Sequence, residues 1–291
     1  MVALFYEVSE HAELHEPVMV SALAGWVDAA GVGTGAAAHL AADGDVVATF
    51  DPDALFDYRT QRPILDIVDG SMKRTVWPQV VLTHAVIDGR DLLVLSGQEP
   101  DLRWKEFASS IAGLAERLDV SQLVTFGSVP APVPHTLPPP ILTTASDPSL
   151  LRGEERPPEG LLRVPAAAVS IVDQSVAAAG IPTVGFFVQV PHYVTGPYPS
   201  GLTALLARFA RHLGMALPVD HLEGEVDAHR RRLDEVVAAQ PEAQEHVRAL
   251  EALQAQQSAV SGEELASEIE RYLKDAAAGE RRPFDEDDDD R

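Results

Sequence analysis

Residues 17–24 read PVMVSALA, an unbroken apolar run of strand length. They are followed by residues 25–42, GWVDAAGVGTGAAAHLAA, of which Asp28–Ala42 have the period of a helix. Two later runs, QLVTF at Gln122–Phe126 and PTVGFFVQV at Pro182–Val190, have the same character. Strands that are apolar at successive positions are buried on both faces, as in a parallel sheet covered by helices. We therefore predict the α/β class: a three-layer α/β/α domain with a mainly parallel or mixed sheet.

The rest of this region supplies further strands and helices in alternation. Asp88 and Gly89 separate two apolar runs, which is typical of a β-hairpin. Residues 129–165 are rich in proline, so we expect a long irregular excursion there. Further strands are predicted at Asp45–Phe50, Ile64–Val68, Val80–Ile87, Asp91–Ser96 and Ile141–Thr143, and further helices at Leu102–Leu118, Val169–Ala179 and Ser200–Leu213.

The composition changes near Pro218. Residues 219–291 hold 21 of the 45 acidic and 9 of the 22 basic side chains, a net charge of −12 out of −23. Their apolar stripes are too short for a sustained coiled coil, and Pro241 and a capping box at Ser261–Glu264 mark helix starts. We predict three parts: an α/β core at 1–218, a C-terminal helical subdomain at 219–278 and an acidic disordered tail at 279–291.

Composition excludes several classes of protein. The sequence has no cysteine, which excludes a disulfide scaffold, zinc fingers and thiol chemistry. The net charge of −23 argues against binding of nucleic acid or of an anionic membrane. No run reaches the length of a membrane span and no signal peptide is visible, so we expect a cytoplasmic protein.

The glycine-rich loop after the first strand is the first candidate site. Glycines that open a helix can cradle a phosphate or dinucleotide on free backbone N–H groups. The spacing of Gly31, Gly33 and Gly35 fits neither a Rossmann nor a Walker loop, and Asp28 would repel a phosphate. The alternative is that Asp28 caps the helix, with the neighbouring Trp26 beside it.

Two arginines beside an aromatic form the second candidate. Tyr58, Arg59 and Arg62 could clamp a carboxylate or phosphate, or could pair with acids of a neighbouring subunit. Glu99 precedes a helix that we expect to open at Pro100, where it could act as a general base or cap that helix.

Histidines supply the remaining candidates for acid–base chemistry. His192 and Tyr193 follow the last strand, His135 lies in the proline-rich excursion, and Trp104 begins the helix after Glu99. No histidine spacing is typical of a metal site, and no nucleophile elbow is present. We predict no metal, no cofactor and no complete catalytic constellation.

Five short motifs in order resemble the PAC2 family, named after proteasome assembly chaperone 2, in its actinobacterial branch. The resemblance covers roughly residues 1–215, and the added helices resemble the C-terminal extension of that branch. The motifs are GWVDAAG at 25–31, YRTQRP at 58–63, GQEPDLRW at 97–104, PHT at 134–136 and VPHY at 190–193.

The resemblance implies an α/β/α fold similar to nucleoside phosphorylases and nucleosidases, self-association, and a proteasome-related role in eukaryotic and archaeal relatives. We accordingly expect a non-enzymatic chaperone or adaptor that forms a homo-oligomer, with a trimer favoured, whose partner is a proteasome-related or other basic protein. The alternative is a nucleosidase- or phosphorylase-like enzyme that uses Asp28, Arg59, Arg62, Glu99, His135 and His192 on a nucleoside-type ligand. The acidic tail either solubilises the chain or contacts a basic partner or a divalent cation.

Overall fold

A computed structural model describes residues 6–9, 13–151 and 160–256. The chain forms two compact units, of which the first ends at Val236 and the second begins at Val237. Within the second unit, residues 241–256 are helical, as predicted from Pro241. The predicted helix after Ser261 and the predicted acidic tail at 279–291 lie outside the described residues.

The first unit alternates strands and helices. The strands are β1 (Tyr6–Val8), β2 (Val18–Ala24), β3 (Asp45–Phe50), β4 (Ile64–Val68), β5 (Ser71–Val76), β6 (Val80–Ile87), β7 (Arg90–Gln98), β8 (Gln122–Ala131), β9 (Ile141–Ala145) and β10 (Thr183–Pro191). The helices are α1 (Val32–Leu40), α2 (Pro52–Leu55), α3 (Trp104–Arg117), α4 (Ala168–Ala178), α5 (Pro199–Leu213) and α6 (Glu223–Ala238).

Eight strands form one mixed sheet in the order β1-β3-β6-β7-β2-β8-β10-β9. The four strands β7, β2, β8 and β10 run parallel at its centre. The outer strands pair antiparallel on both sides, and β6 and β7 form the predicted hairpin. The prediction of an α/β fold with a mainly parallel or mixed sheet is confirmed, with the parallel part confined to the centre.

Helices cover both faces of the sheet, which explains the unbroken apolar runs. Along β2, Met19 and Leu23 pack on the face that carries α3 and α4, while Val20 and Ala22 pack on the face that carries α1 and α5. All four side chains are buried, so neither face of this strand meets water. The three layers that the sequence predicts are therefore present.

Several boundaries differ from the prediction for local reasons. Helix α1 begins only at Val32, because Gly31 adopts a left-handed conformation (φ 64°) after a short 3-10 turn at Ala29–Gly31. Strand β8 continues to Ala131, inside the region expected to be irregular, because its end pairs with Gln189–Pro191 of β10. The sequence analysis did not predict β1, α2 or β5.

Strands β4 and β5 form a separate two-stranded ribbon outside the main sheet. The Arg74 guanidinium pairs with the Asp66 carboxylate at 2.6 Å across it. No residue of the ribbon is buried, and its apolar side chains are among the most exposed of the described residues, with Met72 75% and Ile64 66% exposed. An isolated two-stranded hairpin is only marginally stable in water. A ribbon that stands outside the main sheet and exposes its apolar side chains is therefore unusual in a folded protein.

Candidate functional site

The Glu99 side chain joins the end of the parallel strands to the start of α4. Its Oε1 accepts a hydrogen bond from the backbone N–H of Ala168 at 2.7 Å, and its Oε2 accepts one from the N–H of Trp26 at 3.3 Å. A Cβ at Gly25 would lie 2.4 Å from Oε2, so this approach requires glycine. The expectation that Glu99 caps the helix directly after it is wrong.

The reason is a change of chain direction after Glu99. The backbone passes through Arg103 in a left-handed conformation (φ 57°), so α3 begins at Trp104 and not at Pro100. The Trp104 indole N–H donates to the Pro100 carbonyl at 2.5 Å, and its ring packs against the core beneath α3. Glu99 is thereby left facing the N-terminal residue of α4, where a carboxylate stabilises the helix end.

Asp28 caps helix α1. Its Oδ1 accepts from the N–H groups of Gly33 (2.8 Å) and Thr34 (3.2 Å), and its Oδ2 accepts from the Thr34 hydroxyl at 2.5 Å. These are N–H groups of the first helical turn, which have no partner within the helix. The carboxylate therefore occupies the position that a bound phosphate would need, which favours the capping interpretation.

The loop with Tyr58, Arg59 and Arg62 is largely exposed. The Tyr58 hydroxyl donates to Asp53 at 2.5 Å, and burial together with this bond raises the pKa of Tyr58 to about 12. The Arg59 guanidinium pairs with Asp57 at 3.1 Å, which holds the pKa of the Asp57 carboxyl below its usual range. Arg62 is exposed and makes no ion pair within the described residues. The two arginines do not converge on a common anion site.

Tyr193, predicted at the end of the last strand, meets His135, which was predicted in the proline-rich excursion. The Tyr193 hydroxyl lies 2.8 Å from both the backbone N and the Nδ1 of His135, and Nε2 of His135 lies 3.2 Å from Asp234 on α6. The pattern is satisfied when the hydroxyl accepts from the backbone N–H and donates to Nδ1, with the proton on Nε2. The side chain of His135 is buried.

This chain of contacts attaches α6 to the sheet domain. The Arg230 guanidinium donates to the Thr136 carbonyl at 3.0 Å, and the Tyr198 and His229 rings lie 5.9 Å apart. Burial, with Arg232 and His135 nearby, lowers the pKa of His229, so its neutral form is favoured. These contacts hold α6 against Thr136 and Tyr198 of the sheet domain.

His192 lies outside this chain of hydrogen bonds. It is exposed, and its Nδ1 lies 3.3 Å from the carbonyl of Ala131 at the end of β8. Its ring contacts the ring of Tyr193, with centroids 5.4 Å apart. His192 therefore lies beside Tyr193 after the end of β10, in contact with its ring.

A cavity of about 850 Å³ lies elsewhere, between α4 and the strands β8, β9 and β10. Of the ten residues predicted for a site, only Trp26 lines it. Asp173 of α4 also lines it, and its carboxylate Oδ1 accepts a hydrogen bond from the Thr125 hydroxyl at 2.5 Å. Burial raises the pKa of Asp173 to about 7, against the opposing effect of the Thr125 bond.

Sequence reasoning missed Asp173 and Thr125. One signal was present: Asp173 is the single charged residue of the apolar helix AVSIVDQSVAA, and a lone acid in such a helix is unusual. Its partner is 48 positions earlier in a buried strand, which no local pattern reveals. In the described part of the chain, no three His, Asp or Glu side chains are placed to hold a metal ion.

Among residues 6–9, 13–151 and 160–256, no helix is long and apolar enough to span a bilayer.

The model of the PAC2 family matches residues 22–237. No curated protein shows significant similarity to the sequence.

Solved structures resemble the chain over most of its length. Rv2714, a Mycobacterium tuberculosis protein of unknown function, is 34% identical, with a TM-score of 0.82 and coverage of 87% of this chain and 92% of its own. Rv2125, described as a proteasome-assembly chaperone homologue from the same organism, is 31% identical, with a TM-score of 0.74 and coverage of 79% and 99%. PbaB of Pyrococcus furiosus, described as an archaeal proteasome activator, shares the fold at 15% identity, with a TM-score of 0.61 and coverage of 79% and 97%.

Proposed function

The chain belongs to the PAC2 family, and on that premise we propose that it is a non-enzymatic protein that associates with itself and assists the assembly or regulation of proteasomes. The observation that carries this proposal is the 31% identity to Rv2125, a proteasome-assembly chaperone homologue of which 99% is covered. The shared fold with an archaeal proteasome activator adds support at the level of architecture.

The ribbon β4–β5 supports the self-association. Exposed apolar surface of this kind marks protein interfaces, and unpaired strand edges offer backbone hydrogen bonds to a partner. Its charged residues Asp66, Asp69, Lys73 and Arg74 sum to zero in a chain of net charge −23. Two copies of so acidic a chain repel each other least where the surface is neutral, so we assign a second copy as the occupant of the ribbon.

We propose a cyclic homo-oligomer, with a trimer ahead of a dimer, in which each ribbon lies against the neighbouring copy. Sedimentation velocity of the full chain should then give a mass near three times the 31.2 kDa of one chain. The variant Met72→Glu places a charge on the ribbon and should lower this mass. Val86→Glu is the matched control, because Val86 is a similarly exposed strand residue (62%) outside the ribbon.

Two results would count against these assignments. A monomeric wild-type chain at micromolar concentration would remove self-association. An oligomer that Met72→Glu and Val86→Glu both leave intact would remove the ribbon as its interface. The proteasome role is tested separately: purified actinobacterial proteasome core particles and their free α-subunits should bind the immobilised chain, and failure of both to bind would refute that role.

The enzymatic alternative lacks support from side-chain geometry. Asp28 and Glu99 are engaged in helix capping, Arg59 pairs with Asp57, and the buried His135 bonds to Asp234 on α6. None of the side chains on which that alternative rests lines the cavity between α4 and the strands β8, β9 and β10. We therefore do not propose a nucleosidase activity.

A further inference from the structure

The cavity beside α4 has the dimensions of a small-molecule site. Its volume of about 850 Å³ lies within the range of known ligand pockets, roughly 300–1,000 Å³. It lies on the face of the sheet that carries α4, at the end of the sheet formed by β9 and β10. None of its lining residues belongs to the ribbon β4–β5, so a ligand site in this cavity is independent of the proposed self-association and proteasome role.

The walls of this cavity are mostly apolar. The Phe187 ring lies over two glycines: a Cβ at Gly127 of β8 would be 2.5 Å from it, and a Cβ at Gly185 of its own strand β10 would be 2.7 Å from it. The ring is thereby held flat along the sheet, and the two glycines leave space that larger residues would fill. The apolar and aromatic lining comes from Trp26, Val27, Val129, Leu142, Leu162 and Phe187.

The polar end of the cavity is the carboxyl group of Asp173. It is the only charged residue among the described residues that line the cavity. Within the described part of the chain, the Thr125 hydroxyl is the only hydrogen-bond donor that the structure gives it, so the carboxyl retains capacity for a further donor. A half-buried carboxyl with one protein donor, in an apolar cavity, is costly unless something else pairs with it.

Among the described residues, no other charged side chain lines the cavity. Strands β2, β8, β9 and β10 carry none, and α4 carries no other. The Glu99 carboxylate accepts from the backbone N–H groups of Ala168, at the start of α4, and of Trp26, and Arg163, in the segment beside the cavity, is exposed. Helix α3, which packs on α4, carries four charged side chains, all of them exposed: Lys105, Glu106, Glu116 and Arg117.

We propose that this cavity binds a small amphipathic primary amine, whose ammonium group pairs with Asp173 and whose apolar body lies against Trp26 and Phe187. An ammonium group offers the donors that the carboxylate lacks, and a cation also interacts favourably with aromatic faces. An anion would be repelled by the same carboxylate. A neutral alcohol would supply one donor but no charge.

The affinity depends on pH in a defined direction. Burial holds the pKa of Asp173 near 7, so the proton must leave before the carboxylate can pair with an ammonium ion. Affinity for an amine should therefore rise from pH 6 to pH 8, where the amine itself stays protonated. Affinity for a neutral alcohol should not rise over this range.

The test is isothermal titration of the full chain at pH 8 with 2-phenylethylamine and two analogues of similar shape, 2-phenylethanol and 3-phenylpropanoate. We expect the amine to bind at least ten-fold more tightly than the alcohol, and the carboxylate more weakly still. Asp173→Asn should weaken amine binding at least ten-fold. Asp43→Asn, which removes an exposed carboxylate between α1 and β3, is the matched control and should bind as the wild type does.

A second variant guards against misfolding of the first. Ala177→Phe fills the cavity from α4 while leaving the Asp173 carboxyl in the chain, and it should abolish binding of amine and alcohol alike. Circular dichroism and the melting temperature establish that each variant is folded. The proposal is overturned if the amine fails to bind at millimolar concentration, if all three probes bind equally, or if folded Asp173→Asn binds the amine as tightly as the wild type.

Discussion

Replacing Asp173 by asparagine should make the folded protein more stable at pH 8 than the wild type. Asparagine keeps the size of the side chain and can still accept the hydrogen bond of Thr125. It removes the half-buried carboxyl whose pKa is raised to about 7 in the folded chain, above its ordinary value of 3.8. In the wild type the unfolded chain therefore loses this proton at lower pH than the folded chain does.

The sign and size of the effect come from this difference in proton binding. Between the two pKa values the folded state holds more protons, so the stability of the wild type falls as pH rises and levels off above the folded pKa. If the pKa shift of Asp173 acts in full, the free energy of unfolding of the wild type should fall by about 3 kcal/mol between pH 5 and pH 8. Because the carboxyl borders a cavity that water can enter, we expect about 1 to 3 kcal/mol.

Urea denaturation at pH 5, 6, 7 and 8 measures this, with tryptophan fluorescence as the probe, since all three tryptophans lie in the first unit. The stability of Asp173→Asn relative to the wild type should increase steadily from pH 5 to pH 7. Thr125→Val removes the bond that favours the ionised carboxylate, so in this variant the fall in stability should extend to higher pH than in the wild type. Parallel curves for wild type and Asp173→Asn would refute the assigned pKa.

Four further substitutions test the fold and the helix contacts. Gly97→Ala should lower the free energy of unfolding by about 2 to 4 kcal/mol, because φ is 146° there and a Cβ would lie 2.0 Å from a backbone carbonyl oxygen. Gly113→Ala, in the open middle of α3, should instead raise it by about 0.5 to 1 kcal/mol. Chemical denaturation compares the two variants. Glu99→Gln should cost about 1 kcal/mol by weakening the start of α4, and an unchanged denaturation midpoint would show that the carboxylate charge is unimportant. Tyr193→Phe leaves the backbone N–H and the Nδ1 of His135 without their hydroxyl partner. It should speed amide exchange in residues 223–236 of α6, with α1 as the internal reference. Equal exchange in this variant and the wild type would contradict the role of the Tyr193 hydroxyl.

Most of the strands that the sequence predicted are apolar because they are buried in the main sheet, and β4, which is apolar but not buried, is the exception. The run 17–24 is apolar because β2 lies between two helical layers, and that pattern is visible without knowing the partner strands. Strand β5 has no buried position, so its sequence SMKRTV carries no periodic signal. Its strand conformation depends on pairing with β4.

The same distinction applies to the polar side chains. Asp28 caps groups only five and six positions away, so local sequence contains both donor and acceptor. Glu99 accepts from the backbone N–H of Ala168, 69 positions later, whereas the sequence indicated that it caps the next helix along the chain. Burial raises the pKa of Asp173, and its hydrogen-bond partner Thr125, whose bond opposes that rise, lies 48 positions earlier. Long-range partners of this kind become visible only in the folded chain.

The central position of β2 has a consequence for synthesis on the ribosome. Its neighbours in the sheet are Leu92–Gln98 of β7 and Gln122–Thr125 of β8, so the first long strand to be made finds no partner until some 74 residues later. At typical elongation rates this delay is about 4 to 15 s. During that time an apolar segment with free backbone groups is exposed to other nascent chains. The local hairpin β6–β7, whose strands are joined by a turn of two residues, supplies the first edge on which β2 can dock.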